Sequence, residues 1–74
     1  MDRTKLKLFG KHLRQIRLER KLTQTELSYK AGFDRNYIGM LERGERNPSL
    51  LNLIKLADAL GMKLSWLLDF NTHE

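Results

Sequence analysis

Arg35, Asn36, Arg43 and Arg46 lie within one dozen-residue stretch of the chain, and each can hydrogen-bond to a nucleic acid in two ways. Arginine can donate a matched pair of bonds to O6 and N7 of guanine, and asparagine can pair with N6 and N7 of adenine. On a phosphate the same groups position the protein and carry no sequence information. Which of these happens depends on where the backbone sets them. At about 100° per residue, a helix over about residues 35–43 gathers Arg35, Asn36, Gly39 and Arg43 on one side, with Met40 at its edge. Ile38 and Leu41 fall on the other side, which has to pack. Arg35 and Asn36 then occupy the first turn, the end that enters a major groove when a helix reads DNA. Gly39 weakens the helix by about 1 kcal/mol relative to alanine, and on that side it lets the backbone come close to a base pair. A merely solvated face has little use for a glycine there.

The residues upstream supply the elements that would hold this helix. Thr23 can cap a helix over 24–31, Glu26 three residues later completes a capping box, and Leu22 and Leu27 stand at the positions of a hydrophobic staple. Gly32 offers a stop at positive φ, Asp34 a second cap, and Gly44 a second stop. Two short helices around a glycine turn, the second with a polar outer face, form a helix-turn-helix over about 23–43. A plain two-helix hairpin explains the caps equally well, but not that face.

Three more helices are expected, and no segment alternates as a strand does. The first covers about 5–20, with Leu6, Phe9, Leu13 and Ile16 as its apolar stripe and Lys7, Lys11, Arg14 and Arg20 on its other faces. The fourth follows Asn47-Pro48-Ser49, is capped by Ser49, buries Leu50, Leu53, Ile54, Ala57 and Leu60, and stops at Gly61. A short fifth begins near Ser65 with Trp66, Leu67, Leu68 and Phe70. It is too short to turn four large apolar side chains inward, so an interface is expected around them. The reading is an all-α, compact five-helix fold, one domain over 1–74 with its core at about 5–70 and a frayed tail at Asn71–Glu74.

The chain has 74 residues and a net charge of +5. Residues 1–46 hold 12 Lys/Arg against 6 Asp/Glu, whereas residues 47–74 hold 2 against 3, so the excess sits in the front half. That favours a polyanionic partner, although ordinary solubility also accommodates it. Cysteine is absent, which removes disulfides, thiolate metal sites and thiol nucleophiles and suits a reducing cytoplasm. No apolar run is long enough for a membrane span or a signal peptide, so a cytoplasmic location and no membrane are expected. His12 and His73 lack metal-ligand spacing. No paired carboxylates, nucleophile–base pair or phosphate-cradling loop is present, so an enzyme is the weakest reading. No cofactor, metal or small-molecule ligand is expected.

Thr23-Gln24-x-Glu26-Leu27, Ala31-Gly32, Ile38, Leu41-Glu42-Arg43-Gly44 and Asn47-Pro48-Ser49-Leu50 together resemble the Cro and lambda-repressor type of helix-turn-helix domain, also called the xenobiotic response element family. The likeness covers about residues 9–68. Within it, Asp34-Arg35-Asn36-Tyr37-Ile38 and Glu42-Arg43-Gly44-Glu45-Arg46-Asn47 look most like the controller proteins of restriction–modification systems, which are short and act as homodimers on DNA.

That resemblance implies roles. Gln24 would bond a phosphate at the start of the second helix, with Thr23, Arg43 and Asn47 as further phosphate contacts. Arg35 and Asn36, with Tyr37, Gly39, Met40 and Arg46, would lie against base edges; the ring of Tyr37 is expected to pack, and Arg46 suits base or phosphate. Arg17 and Glu42 match a buried ion pair tying the first helix to the third. Trp66, Leu67 and Phe70 would form the dimer interface. The function implied is a homodimeric regulator on an inverted-repeat operator in double-stranded DNA, autoregulatory and in control of restriction–modification genes. Repression would need only occupancy of the promoter, whereas activation would need a contact to RNA polymerase, through exposed acids such as Glu26 or Glu45. The competing reading is an antitoxin-type module that binds a protein first and DNA second.

Overall fold

Helix α1, Thr4–Glu19, buries Phe9, Leu13 and Ile16 as its stripe requires, and with them Gly10 and Arg17. The computed structural model describes residues 2–70; the expectations for the tail and for His73 fall outside them. Helices α2 (Gln24–Ala31), α3 (Tyr37–Glu42), α4 (Leu50–Leu60) and α5 (Leu64–Leu67) complete an all-α fold, with no strand among the described residues.

The capping chemistry of α2 is as expected. Thr23 accepts a hydrogen bond from the Glu26 N–H at 3.0 Å, and the Glu26 carboxylate accepts one from the Thr23 N–H at 2.8 Å. Leu22 and Leu27 both reach the core. At the other end Gly32 adopts φ 78°, where a side chain would strain the backbone. The chain therefore turns sharply enough to lay α3 across α2. Leu13, Leu27, Ile38, Leu41, Leu56 and Leu67 are fully buried where α1, α2, α3, α4 and α5 converge. Gly10 sets the depth of that packing: a Cβ there would fall on the backbone carbonyls of Leu41 and Glu42, 2.6 Å from the former. Only a glycine lets α1 lie this close to the end of α3.

Four expectations need correction. Helix α3 begins at Tyr37, not at 35, because Asp34–Asn36 form a turn in which the Tyr37 N–H donates to the Asp34 carbonyl at 3.0 Å. Asp34 provides that backbone oxygen and not a side-chain cap. On α4, Ser49 caps and Gly61 stops the helix as read, but the buried line is Leu56, Ala57, Ala59 and Leu60, while Leu50, Leu51 and Ile54 are exposed. Leucines and an isoleucine populate nearly the whole first half of that helix, so periodicity alone cannot say which face turns inward. On α5, Leu67 is at 0% exposure and so is core, not surface.

Candidate nucleic-acid interface

The seat of α3 is an ion pair removed from water. Arg17 Nε donates to Glu42 Oε2 at 2.6 Å and Nη2 to Oε1 at 3.0 Å, with only 8% and 3% of the two side chains exposed. The remaining donor of Arg17, Nη1, reaches the Leu22 carbonyl at 2.8 Å, and Gln24 Nε2 donates to Glu42 Oε1 at 3.0 Å. One carboxylate thus ties α1, the start of α2 and the end of α3. Donation to Glu42 holds the guanidinium of Arg17 still more firmly protonated than usual. Such a pair is kept only when every polar atom finds a partner, and among the described residues no buried side-chain polar atom lacks one.

Above this seat the outward side chains sort into free and engaged groups. Arg35 and Asn36 are exposed in the turn before α3, and neither side chain is hydrogen-bonded among the described residues. Ser28, fully buried on α2, donates through its hydroxyl to the Arg35 carbonyl at 3.4 Å and so steadies that turn. Tyr37 is half-buried, its ring edge-on to Phe33 with centroids 4.7 Å apart, and its hydroxyl accepts from Asn52 Nδ2 at 3.1 Å. The Arg46 guanidinium lies over the same ring, 5.6 Å from its centroid, with Nη1 3.9 Å from the sulfur of Met40. Tyr37, Met40 and Arg46 therefore form one surface beside Arg35 and Asn36.

Gly39 is buried, which corrects the expectation that it faces a groove. A Cβ there would meet Arg43 Nη1 and Gln24 Oε1, each at 3.1 Å. Its bare backbone makes room for the two side chains that close over it. Gln24 is correspondingly half-buried and bonded to Glu42, so its amide is a brace as well as a surface group. Arg43 is exposed and paired with Glu45 at 2.8 Å; that pair raises the pKa of Arg43 and lowers that of Glu45. Thr23 and Asn47 are exposed at the start of α2 and in the α3–α4 loop.

The expected interface residues of α5 separate. Leu67 is core, Phe70 is half-buried edge-on to Phe9 with ring centroids 5.8 Å apart, and Trp66 is 66% exposed. Sequence reasoning missed Gly10, Ser28 and Asn52, and also His12, whose Nε2 lies 3.2 Å from the Trp66 carbonyl and links α1 to α5. Nothing in their residue types signals these partners, which come from distant elements. No cluster of three metal-ligating side chains occurs among the described residues, and none of their helices is long and apolar enough to cross a membrane.

A helix-turn-helix seated on a buried ion pair and presenting a polar, cationic surface is the architecture of a lambda-repressor-like domain. Residues 13–67 match the helix-turn-helix family model, and the chain belongs to that family of transcriptional regulators. Among curated relatives, the control protein C.BamHI of Bacillus amyloliquefaciens is 46% identical over 66 residues, which cover 88% of this chain and 82% of that one. The crystal structure of the restriction-modification controller protein C.AhdI from Aeromonas hydrophila superposes with a TM-score of 0.82 at 45% identity, covering 84% of this chain and 94% of that one. The structure of the master regulator for biofilm formation SinR in complex with DNA gives a TM-score of 0.76 at 34% identity, covering 82% of this chain and 98% of that one.

Proposed function

We propose that this chain is a sequence-specific, double-stranded-DNA-binding regulator that acts as a homodimer on an inverted-repeat operator, including one at its own promoter. The observation that carries the reading is the exposed couple Arg35–Asn36, whose side chains bond to none of the described residues, held on a braced turn next to Tyr37, Met40 and Arg46. Two side chains with free base-matching donors on a rigid seat suit direct readout. Thr23, Arg43 and Asn47 are exposed and are assigned to phosphates, with Gln24 at the start of α2, where the helix end also favours an anion. Arg43 exchanges its exposed partner Glu45 for phosphate at little cost. Likeness to C.BamHI and C.AhdI supports a controller role over restriction–modification genes, and likeness to SinR supports the docking on DNA.

The second copy is assigned to α4. Leu50, Leu51 and Ile54 are 64%, 62% and 39% exposed, and Leu68 at the exit of α5 is 41% exposed. Leu68 lies along one shallow groove with Leu53 and Pro48. Apolar surface of this extent on a small domain is a typical mark of an interface. The contact to RNA polymerase stays with exposed Glu26 and Glu45. Footprinting on the DNA upstream of its own gene tests the whole reading. A protected inverted repeat is expected, and a protein that protects nothing there is not autoregulatory.

A further inference from the structure

Arg3, Lys7, Lys11 and Arg14 succeed one another at intervals of four, four and three residues. On α1 and its N-cap this spacing lines them up in a strip about 80° wide. All are exposed. Among the described residues the two ion pairs are Arg17–Glu42 and Arg43–Glu45; Arg3 lies near enough to Glu45 to help lower its pKa, whereas Lys7, Lys11 and Arg14 pair with no described carboxylate. Like charges at this spacing repel, and for Lys11 and Arg14 no hydrogen bond or ion pair among the described residues offsets that repulsion. Scattered lysines would serve solubility equally well.

The strip borders the line along which α1 packs on α3, marked by Gly10 against the Leu41 and Glu42 carbonyls and by Arg17 on Glu42. At its N-terminal end it runs into the α3–α4 loop. Arg3 Nη1 donates to the Gly44 carbonyl at 2.9 Å, and the stem of Lys7 is packed so closely on Gly44 that a Cβ there would lie 2.6 Å from it. Cationic side chains therefore flank the α3–α4 loop on both sides, Arg43 and Arg46 on one and Arg3 and Lys7 on the other, with the Glu45 carboxylate paired to Arg43 and close to Arg3.

We infer that Lys7, Lys11 and Arg14 form a second phosphate-binding track, which holds the DNA backbone alongside the segment that α3 reads. This rests on the DNA-binding reading above. Continuity with the loop and charge complementarity favour a DNA strand as the occupant. The three heads span about 10 Å of helix axis, and one strand offers a phosphate about every 3.4 Å of duplex axis, so at least two phosphates come within reach. The track adds affinity and no sequence preference.

The test compares two variants of equal charge on a mixed-sequence duplex a few turns long, by fluorescence anisotropy across a salt series. K11Q/R14Q removes two strip cations, neither of which makes a hydrogen bond or ion pair among the described residues; K55Q/K63Q removes two from α4 and the entry to α5. The log–log salt slope of K11Q/R14Q should be shallower than wild type by about 1–2, at about 0.9 for each phosphate that is no longer neutralised. The slope of K55Q/K63Q should stay close to wild type. If the double variant is misfolded by circular dichroism, K11Q and R14Q singly should each shift the slope by about 1. A K11Q/R14Q slope equal to wild type or to K55Q/K63Q overturns the track while a steep wild-type slope upholds DNA binding. A flat wild-type slope overturns both.

Discussion

Glu42 accepts two hydrogen bonds from Arg17 and one from Gln24 at a site where its side chain is 3% exposed. Glu42→Ala strands those donors in a dry environment, and breaking one partner of a buried pair costs about 3–5 kcal/mol. Arg17→Ala should cost a similar amount, and the double variant much less than the sum, because the interaction is shared. Chemical denaturation of all three measures this, and strict additivity would place the charges in solvent. Readout has a different signature. Arg35→Ala or Asn36→Ala should cost about 1–3 kcal/mol on the operator and little on random DNA. Equal losses on both duplexes would make Arg35 a backbone contact. Gln24→Ala should weaken both duplexes alike and also cost some stability, since its amide braces Glu42.

Helix α2 depends on a carboxylate that titrates. The hydrogen bond from the Thr23 N–H, and after it that with the Thr23 side chain, hold the Glu26 carboxyl below its usual pKa. Bonds from Thr4 do the same for Asp2, as does the pairing with Arg43 for Glu45. A carboxyl lowered in the folded state lends stability that is complete above its unfolded pKa of about 4.3 and is lost as pH falls through the folded value. Glu26→Gln keeps the box but not the charge, so its urea midpoint should fall less between neutral and acidic pH than that of wild type. An unchanged acid limb would mean the box is open in solution. Helix α4 poses a separate question, because its exposed Leu50, Leu51 and Ile54 add nothing to the monomer core. Replacing Leu50 and Ile54 together by glutamate should leave a folded chain that sediments as a monomer and binds its operator weakly. A variant that stays dimeric moves the interface elsewhere, with exposed Trp66 as the next surface to change.

For the whole molecule, the charge of +5, concentrated in residues 1–46, should make DNA affinity fall steeply with salt through counterion release. Two-fold pairing should set the two copies of α3 about 34–36 Å apart, one turn of B-DNA, with half-site centres about 10 base pairs apart. Inserting about 5 base pairs between the half-sites turns one to the opposite face of the duplex and should abolish tight binding. An insertion without effect would mean that each copy binds alone.

The elements built from short-range chemistry were legible in the sequence. Thr23, Glu26 and Gly32 act within one or two turns of their own helix, so their residue types alone fix the ends of α2; Ser49 and Gly61 do the same for α4. The facing of helices was less so. On α1 the run Leu6, Phe9, Leu13 and Ile16 outweighs the isolated Leu8 and Leu18 on other faces, and the burial of Phe9, Leu13 and Ile16 follows. Helix α4 has leucine or isoleucine on several sides, and which of them lies inward depends on how α2 and α5 cover it. The pairing of Arg17 with Glu42 came from family resemblance, because nothing in two charges 25 residues apart announces a contact. Tertiary structure alone decided that Gly10 admits the backbone of α3, that Gly39 lies beneath Gln24 and Arg43, and that Leu67 is core. In each case the neighbour comes from another element. A local signal specifies where a helix starts and stops, but what a side chain touches depends on the packing of all five helices at once.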